Sequence, residues 1–222
     1  MWVLLLAAFL SAAPATLETA RDAEDRPALE KMVNDYTAAA TKAPNDAEAQ
    51  YRGALACSYL AEIAIEQRDR KLGQQAAERG MKYGERAITL KPDSAEYYRV
   101  LGTLYGQAIV DISSGLNYGP KAKEAINKAV EKAPKSSAVY VARGVGNYYL
   151  PAMLGGGPKL ATDDFRKAIE LDPKNAEAYL WLGLSLRKDN REAEARQAFT
   201  KSLALNPNRF WTQQQLAKTP AK

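Results

Sequence analysis

The amino-acid sequence predicts an all-α fold, a solenoid of stacked antiparallel helix hairpins without a β-sheet. Three observations carry this. Pro44, Pro92, Pro134, Pro173 and Pro207 stand at intervals of 48, 42, 39 and 34 residues in the 222-residue chain, and the first four lead into similar text. Ahead of every proline, small and apolar residues recur at spacings of three and four, the period of one helical face. No segment alternates apolar and polar residues as a half-buried strand would. One hairpin cannot bury its own apolar face, so a string of them must stack.

The first helix of each hairpin starts two residues past its proline. Asp46, Ser94, Ser136 and Asn175 stand there, and a short side-chain oxygen accepts a free backbone N–H of the first turn. Glu48, Glu96 and Glu177 follow in that turn, where the helix dipole favours negative charge. The second helix ends just before the next proline. Tyr36, Gly84, Ile126, Phe165 and Phe199 lie eight residues upstream of the prolines, and Ala39, Ala87, Ala129, Ala168 and Ser202 lie five upstream. Small residues there let a neighbouring helix approach, and large ones fill the gap between.

The resulting layout is a linker over 16–27, a helix over about 28–42, hairpins over about 46–90, 94–132, 136–171 and 175–205, a capping helix over about 208–216, and a tail over 217–222. Because the hairpins align from both ends, surplus length falls in their middles. In the first hairpin it predicts long helices, about 46–68 and 71–90, turning near Asp69. Gly73, Gly80 and Gly84 weaken the second of these by about 1 kcal/mol each relative to alanine. In the capping helix, Trp211 and Leu216 should pack inward, and the Gln213-Gln214-Gln215 run should face solvent.

The unit from Ala176 to Pro207 carries Tyr179, Leu182-Gly183, Leu186, Ala195, Phe199 and Pro207. It resembles the tetratricopeptide repeat signature, whose 34-residue period is the interval from Pro173 to Pro207. The second unit keeps Tyr98, Leu101-Gly102 and Tyr105. The third keeps Tyr140 and Gly144 but has Arg143 and Asn147 where Leu and an aromatic are usual. The first keeps only Gln50 and Gly53-Ala54. The resemblance spans residues 28–216 and implies a right-handed solenoid with a concave groove, lined by the first helices, that holds a protein or peptide. By the family's spacing the groove residues are Tyr51, Leu55, Tyr59, Arg99, Thr103, Gln107, Val145, Tyr148, Tyr149, Arg187 and Lys188. Tyrosine suits such a surface because it offers area and a polar tip at low entropic cost. Thr103 and Val145 stand where members that grip a C-terminal carboxylate carry Asn, so that mode is not expected.

The third hairpin turns through Tyr148-Tyr149-Leu150-Pro151-Ala152-Met153-Leu154-Gly155-Gly156-Gly157-Pro158. Leu150, Met153 and Leu154 are too apolar for a plain linker and should fold back on the hairpin. The glycines do not make a phosphate loop: no strand precedes them, and Pro158 removes an amide donor. The Tyr-x-x-Pro-x-x-Leu-Gly-Gly pattern also resembles the tetratricopeptide-type extracytoplasmic subunit associated with TRAP transporters. That implies an alternative role as a transporter-linked ligand-binding or assembly subunit.

Composition excludes much chemistry. There is no histidine and a single cysteine, Cys57. A Ser-His-Asp triad, a histidine base, histidine metal ligands and an internal disulfide are therefore absent. No catalytic residues, cofactor or metal site are expected, and the chain reads as a non-enzyme. The net charge of +5 is interspersed along the chain, as on ordinary solvated helix faces, which argues against nucleic-acid binding. Residues 2–10, Trp-Val-Leu-Leu-Leu-Ala-Ala-Phe-Leu, are too few to span a bilayer. With Ala13-Pro14-Ala15 they read as a secretory signal peptide cut after Ala15. The expected protein is exported, periplasmic or secreted, without stable membrane association after cleavage. The sequence leaves its oligomeric state open.

Overall fold

The computed structural model describes residues 16–219; the signal-peptide reading lies outside these. Among the described residues there are eleven α-helices and no strand. The first pair is α1 (Leu17–Asp22) and α2 (Arg26–Lys42), and the second is α3 (Ala47–Glu66) and α4 (Arg70–Leu90). Next come α5 (Ala95–Gln107) with α6 (Ile112–Lys132), and α7 (Ser137–Tyr149) with α8 (Pro158–Leu171). The last pair is α9 (Ala176–Lys188) and α10 (Glu192–Leu205), followed by α11 (Phe210–Ala217). From α3 to α10 each helix packs most closely on its hairpin partner, and α1, α3, α5, α7 and α9 touch in succession. The molecule is an all-α solenoid.

Residues 16–27, expected as a linker, hold α1. Thr16 and Thr19 cap it reciprocally, and Leu17 and Ala20 are buried. A helix of six residues is not stable alone, so α1 owes its fold to those apolar contacts. Asp46, Ser94 and Asn175 cap α3, α5 and α9 through their side chains, whereas Ser136 makes no capping bond to α7. The surplus residues of the second hairpin go into α6, which has 21 residues against 13 in α5.

Gly80 does more than weaken α4. A Cβ there would lie 2.7 Å from Cys57 Cβ and 2.8 Å from Leu104, so the glycine lets α3 and α5 close on α4. Cys57 is fully buried beneath this contact.

In the third hairpin, Ala152–Leu154 forms a 3-10 turn, and Gly155 and Gly157 adopt φ of 85° and 105°. Only glycine enters that region without strain. Met153 and Leu154 do not fold back: they are 89% and 65% exposed. Gly157 donates its N–H to the Asn147 carbonyl, which turns the segment outward. Leu150 alone is half-buried.

Apolar side chains gather in two separate cores. One runs from Leu17 to Ala108 and takes in Tyr118 and Ala122 of α6 at its margin. The other comprises Ala161, Phe165, Leu180, Trp181, Leu184, Leu186, Ala195, Ala198 and Phe199, with Val141, Val145, Tyr148, Trp211 and Leu216 at its margin. The two lobes, α1–α6 and α7–α11, meet along α5 and α6 against α7.

Candidate concave site

The first helices put Tyr51, Leu55 and Tyr59 of α3 four residues apart on one face, and Arg99, Thr103 and Gln107 of α5 likewise. The structure keeps these stripes side by side. Tyr51 donates from its hydroxyl to Glu96 Oε1 at 3.0 Å and stacks on Tyr97 at 4.9 Å. Arg99 Nε donates to Glu96 Oε2 at 2.7 Å, and Gln107 Nε2 donates to the Ser58 carbonyl at 3.0 Å. Burial would raise the Glu96 carboxyl, but the bonds from Arg99 and Tyr51 outweigh it and hold the pKa low. Desolvation of the Tyr59 hydroxyl pushes its pKa to about 12. Thr103 donates to the Arg99 carbonyl at 2.9 Å. Leu55 is buried in the first core, so it supports the surface without lining it.

On the second lobe, Val145, Tyr148 and Tyr149 of α7 adjoin Trp181 of α9. Trp181 is the hub of an aromatic cluster: its ring lies 5.7 Å from Tyr148, 6.0 Å from Tyr149, and 5.4 Å from Trp211. Tyr149 is 59% exposed. Lys188 caps this wall, donating to the Tyr148 carbonyl at 2.6 Å with its ammonium 4.3 Å above the Tyr148 ring. Arg187 turns away from this wall, toward α11. Its guanidinium donates to Gln215 Oε1 at 2.6 Å, which draws Gln215 into the interior although its residue type and its glutamine neighbours point to solvent.

Between the two walls lies a group that the repeat spacing does not single out. Arg209, ahead of α11, is 1% exposed. It donates to Glu62 Oε1 at 2.8 Å, to Glu66 Oε2 at 3.0 Å and to Glu177 Oε1 at 3.1 Å. Asp22 of α1 lies 3.9 Å from it, and Asn206 Nδ2 donates to Asp22 Oδ2 at 2.8 Å. Arg21 sits 5.0 Å above the Tyr59 ring and 3.4 Å from Glu177. Four carboxylates thus surround two guanidiniums. Desolvation raises the pKa of Glu62 and lifts that of Glu66 well above the ordinary value, and mutual repulsion among the carboxylates adds to it. Half of the signal is in the sequence: Glu62 and Glu66 extend the Tyr51–Leu55–Tyr59 stripe by steps of three and four. Their partner, 143 residues beyond Glu66 in the chain, gives none.

The helix pairs stacked into an all-α solenoid define a tetratricopeptide-type helical-repeat protein. Residues 165–197 match the tetratricopeptide repeat itself. Residues 16–154, well over half of the chain, match the family described as regulator of microtubule dynamics protein 1-3, and the chain belongs to that family. No curated protein matches it as a sequence. Among solved structures it is similar to TTC0263, a thermophilic tetratricopeptide repeat protein of Thermus thermophilus. The TM-score is 0.64 at 20% identity, over 90% of this chain and 98% of that one. It is also similar to PilF of Pseudomonas aeruginosa, with a TM-score of 0.50 at 19% identity, over 74% of this chain and 66% of that one. At these identities the likeness concerns the fold. Folds of this class are typical of protein–protein interaction scaffolds and are generally non-catalytic. Among the described residues, no helix is long and apolar enough to cross a membrane.

Proposed function

We propose that this chain is a non-catalytic scaffold that binds a protein or peptide on its concave face. The observation that carries the reading is the inner surface shared by α3, α5 and α7. Tyr51, Tyr59, Arg99, Val145 and Tyr148 are all only partly buried there, and they combine aromatic area with charge at the spacing of successive helix turns. A peptide lying across them would gain aromatic contact from the tyrosine rings. The microtubule role in the family's description belongs to its relatives; the partner proposed here is defined by the chemistry of the groove.

We further propose that the chain is exported. The apolar stretch at residues 2–10 and the Ala13-Pro14-Ala15 site support this, and the family match begins at Thr16, the residue that caps α1. N-terminal sequencing of the mature protein tests it, with Thr16 as the expected first residue.

A photo-crosslinking residue placed at Thr103 or Tyr148 tests the groove. Crosslinks to one partner are expected from those positions and not from Lys201 on the outer face. The double variant Arg99→Ala/Tyr148→Ala should lose the partner, and retained binding would sink the assignment. The alternative of a transporter-linked subunit draws on the Tyr148–Pro158 turn. Exposure of Met153 and Leu154 gives that turn no enclosed lumen for a small molecule, so the peptide reading is preferred.

A further inference from the structure

The two apolar cores do not merge, and the boundary between them falls at the α6–α7 connection, residues 133–136. Ser136 makes no bond to the first turn of α7, an absence that α8, α10 and α11 share, so what sets this connection apart is the break between the cores. Among the described residues, no side-chain hydrogen bond crosses the α5/α6–α7 contact. Those that do join the lobes lie at the far end, where Arg209 meets Glu62 and Glu66 and Asn206 meets Asp22. The ion pairs Arg21–Glu177 and Arg209–Asp22 complete this junction. It contains no shared apolar core. A connection at which the apolar cores break and no side-chain hydrogen bond crosses, with a polar junction at the far end, supplies the parts of a hinge and a latch.

We propose that the chain is a clamp: the lobes turn about residues 133–136, and Arg209 latches the concave face shut. Parting the lobes rehydrates Glu62, Glu66 and Glu177 and sacrifices little apolar packing, so the open form costs far less than unfolding. In the closed form Arg21 covers the Tyr59 ring, and the Tyr149–Trp181–Trp211 wall faces the Glu62–Glu66 end of α3. Opening uncovers both walls together. The clamp regulates access to the groove described under the proposed function, and only that consequence rests on the groove reading.

Paired spin labels test the clamp without any partner. In a Cys57→Ala background, Lys71→Cys and Lys201→Cys place one label on each lobe, both at exposed positions. Lys71→Cys with Lys91→Cys gives a control pair within the first lobe. The parent chain should show one narrow interlobe distance. Arg209→Met should shift it to longer and broader values while the control distance stays unchanged. An interlobe distance in Arg209→Met that coincides with the parent would overturn the proposal, as would a parallel change in the control pair. If Arg209→Met loses its helical circular dichroism, Asp22→Asn/Glu62→Gln replaces it, and the same two outcomes decide. Failure to find a groove partner leaves this measurement untouched, and an unmoved distance leaves partner binding untouched.

Discussion

Arg209 and Glu66 stand 143 residues apart and share a bidentate ion pair that ties the start of α11 to the end of α3. Their side chains are 1% and 3% exposed. A buried pair of this kind contributes little net stability over a well-packed apolar substitute, but breaking it from one side strands a charge. Its main effect is therefore on geometry: it fixes how far the solenoid curls.

Arg209→Met should lower the free energy of urea unfolding by up to about 3–5 kcal/mol, and by less where the lobes part and water reaches the carboxylates. Adding Glu66→Gln should recover part of that loss, because the stranded charge is then gone. Urea titrations of the two single variants and the double variant give the coupling. Losses that simply add would show that the pair does not act as a unit.

The same cluster sets a pH dependence. Burial raises the pKa of Glu62 and Glu66 above the ordinary 4.5, so the folded chain holds protons there that the unfolded chain has released. Stability from these groups is therefore greatest at low pH and falls as pH rises through their folded pKa values. Glu96 acts oppositely: its lowered pKa gives stability that is present above 4.5 and lost on acidification through the folded value. The Glu62→Gln/Glu66→Gln variant should lose the decline that sets in above pH 4.5 and keep the acid-side loss. Urea midpoints across that range decide it.

The repeat hairpins are legible in the sequence because each rests on local signals. A cap after the proline and a small-residue face before it sit within one hairpin, and Asp46, Ser94 and Asn175 behave as their residue types imply. The helix α1 is not legible, since six residues are too few to show a period. The exposure of Met153 and Leu154 is not legible either, because apolar character alone does not say whether a turn has anything to pack against. The groove stripes on α3 and α5 can be placed by spacing. The closure through Arg209 cannot, because it depends on the curvature accumulated over four hairpins.

The departures of the third unit from the repeat signature explain one another. Arg143 Nε and Asn147 Nδ2 both donate to Asp164, at 2.9 and 2.8 Å, and Asp164 is 5% exposed. The polar residues that replace Leu and an aromatic thus serve one buried carboxylate. Asp164→Ala should cost about 2 kcal/mol by leaving both donors without a partner. Arg143→Leu should cost a similar amount, because Asp164 would stay buried with Asn147 alone. The pair Arg143→Leu/Asp164→Ala should then cost less than the two losses together. Thermal or urea unfolding of the three variants checks the sign of that coupling.

Glycines of the first helices divide into two kinds, and alanine scanning should separate them. A Cβ on Gly144 would lie 2.5 Å from Phe165 Cε1, and one on Gly183 would lie 2.5 Å from Phe199 Cε1. Both rings are fully buried and have no room to swing aside. Each pair unites the glycine of one helix with the large residue eight positions before the next proline, so the contact sets the helix–helix distance within its hairpin. Gly144→Ala and Gly183→Ala should each cost about 1–3 kcal/mol despite alanine's better helix propensity. Gly146, one turn from the end of α7, has nothing within 4 Å of the added methyl. Gly146→Ala should therefore stabilise by up to about 1 kcal/mol, the full propensity difference. Pairing Gly183→Ala with Phe199→Leu removes the clashing ring edge and should recover part of the loss. If Gly183→Ala and Gly146→Ala shifted the thermal midpoint in the same direction, the close approach of Gly183 to Phe199 would not govern that hairpin.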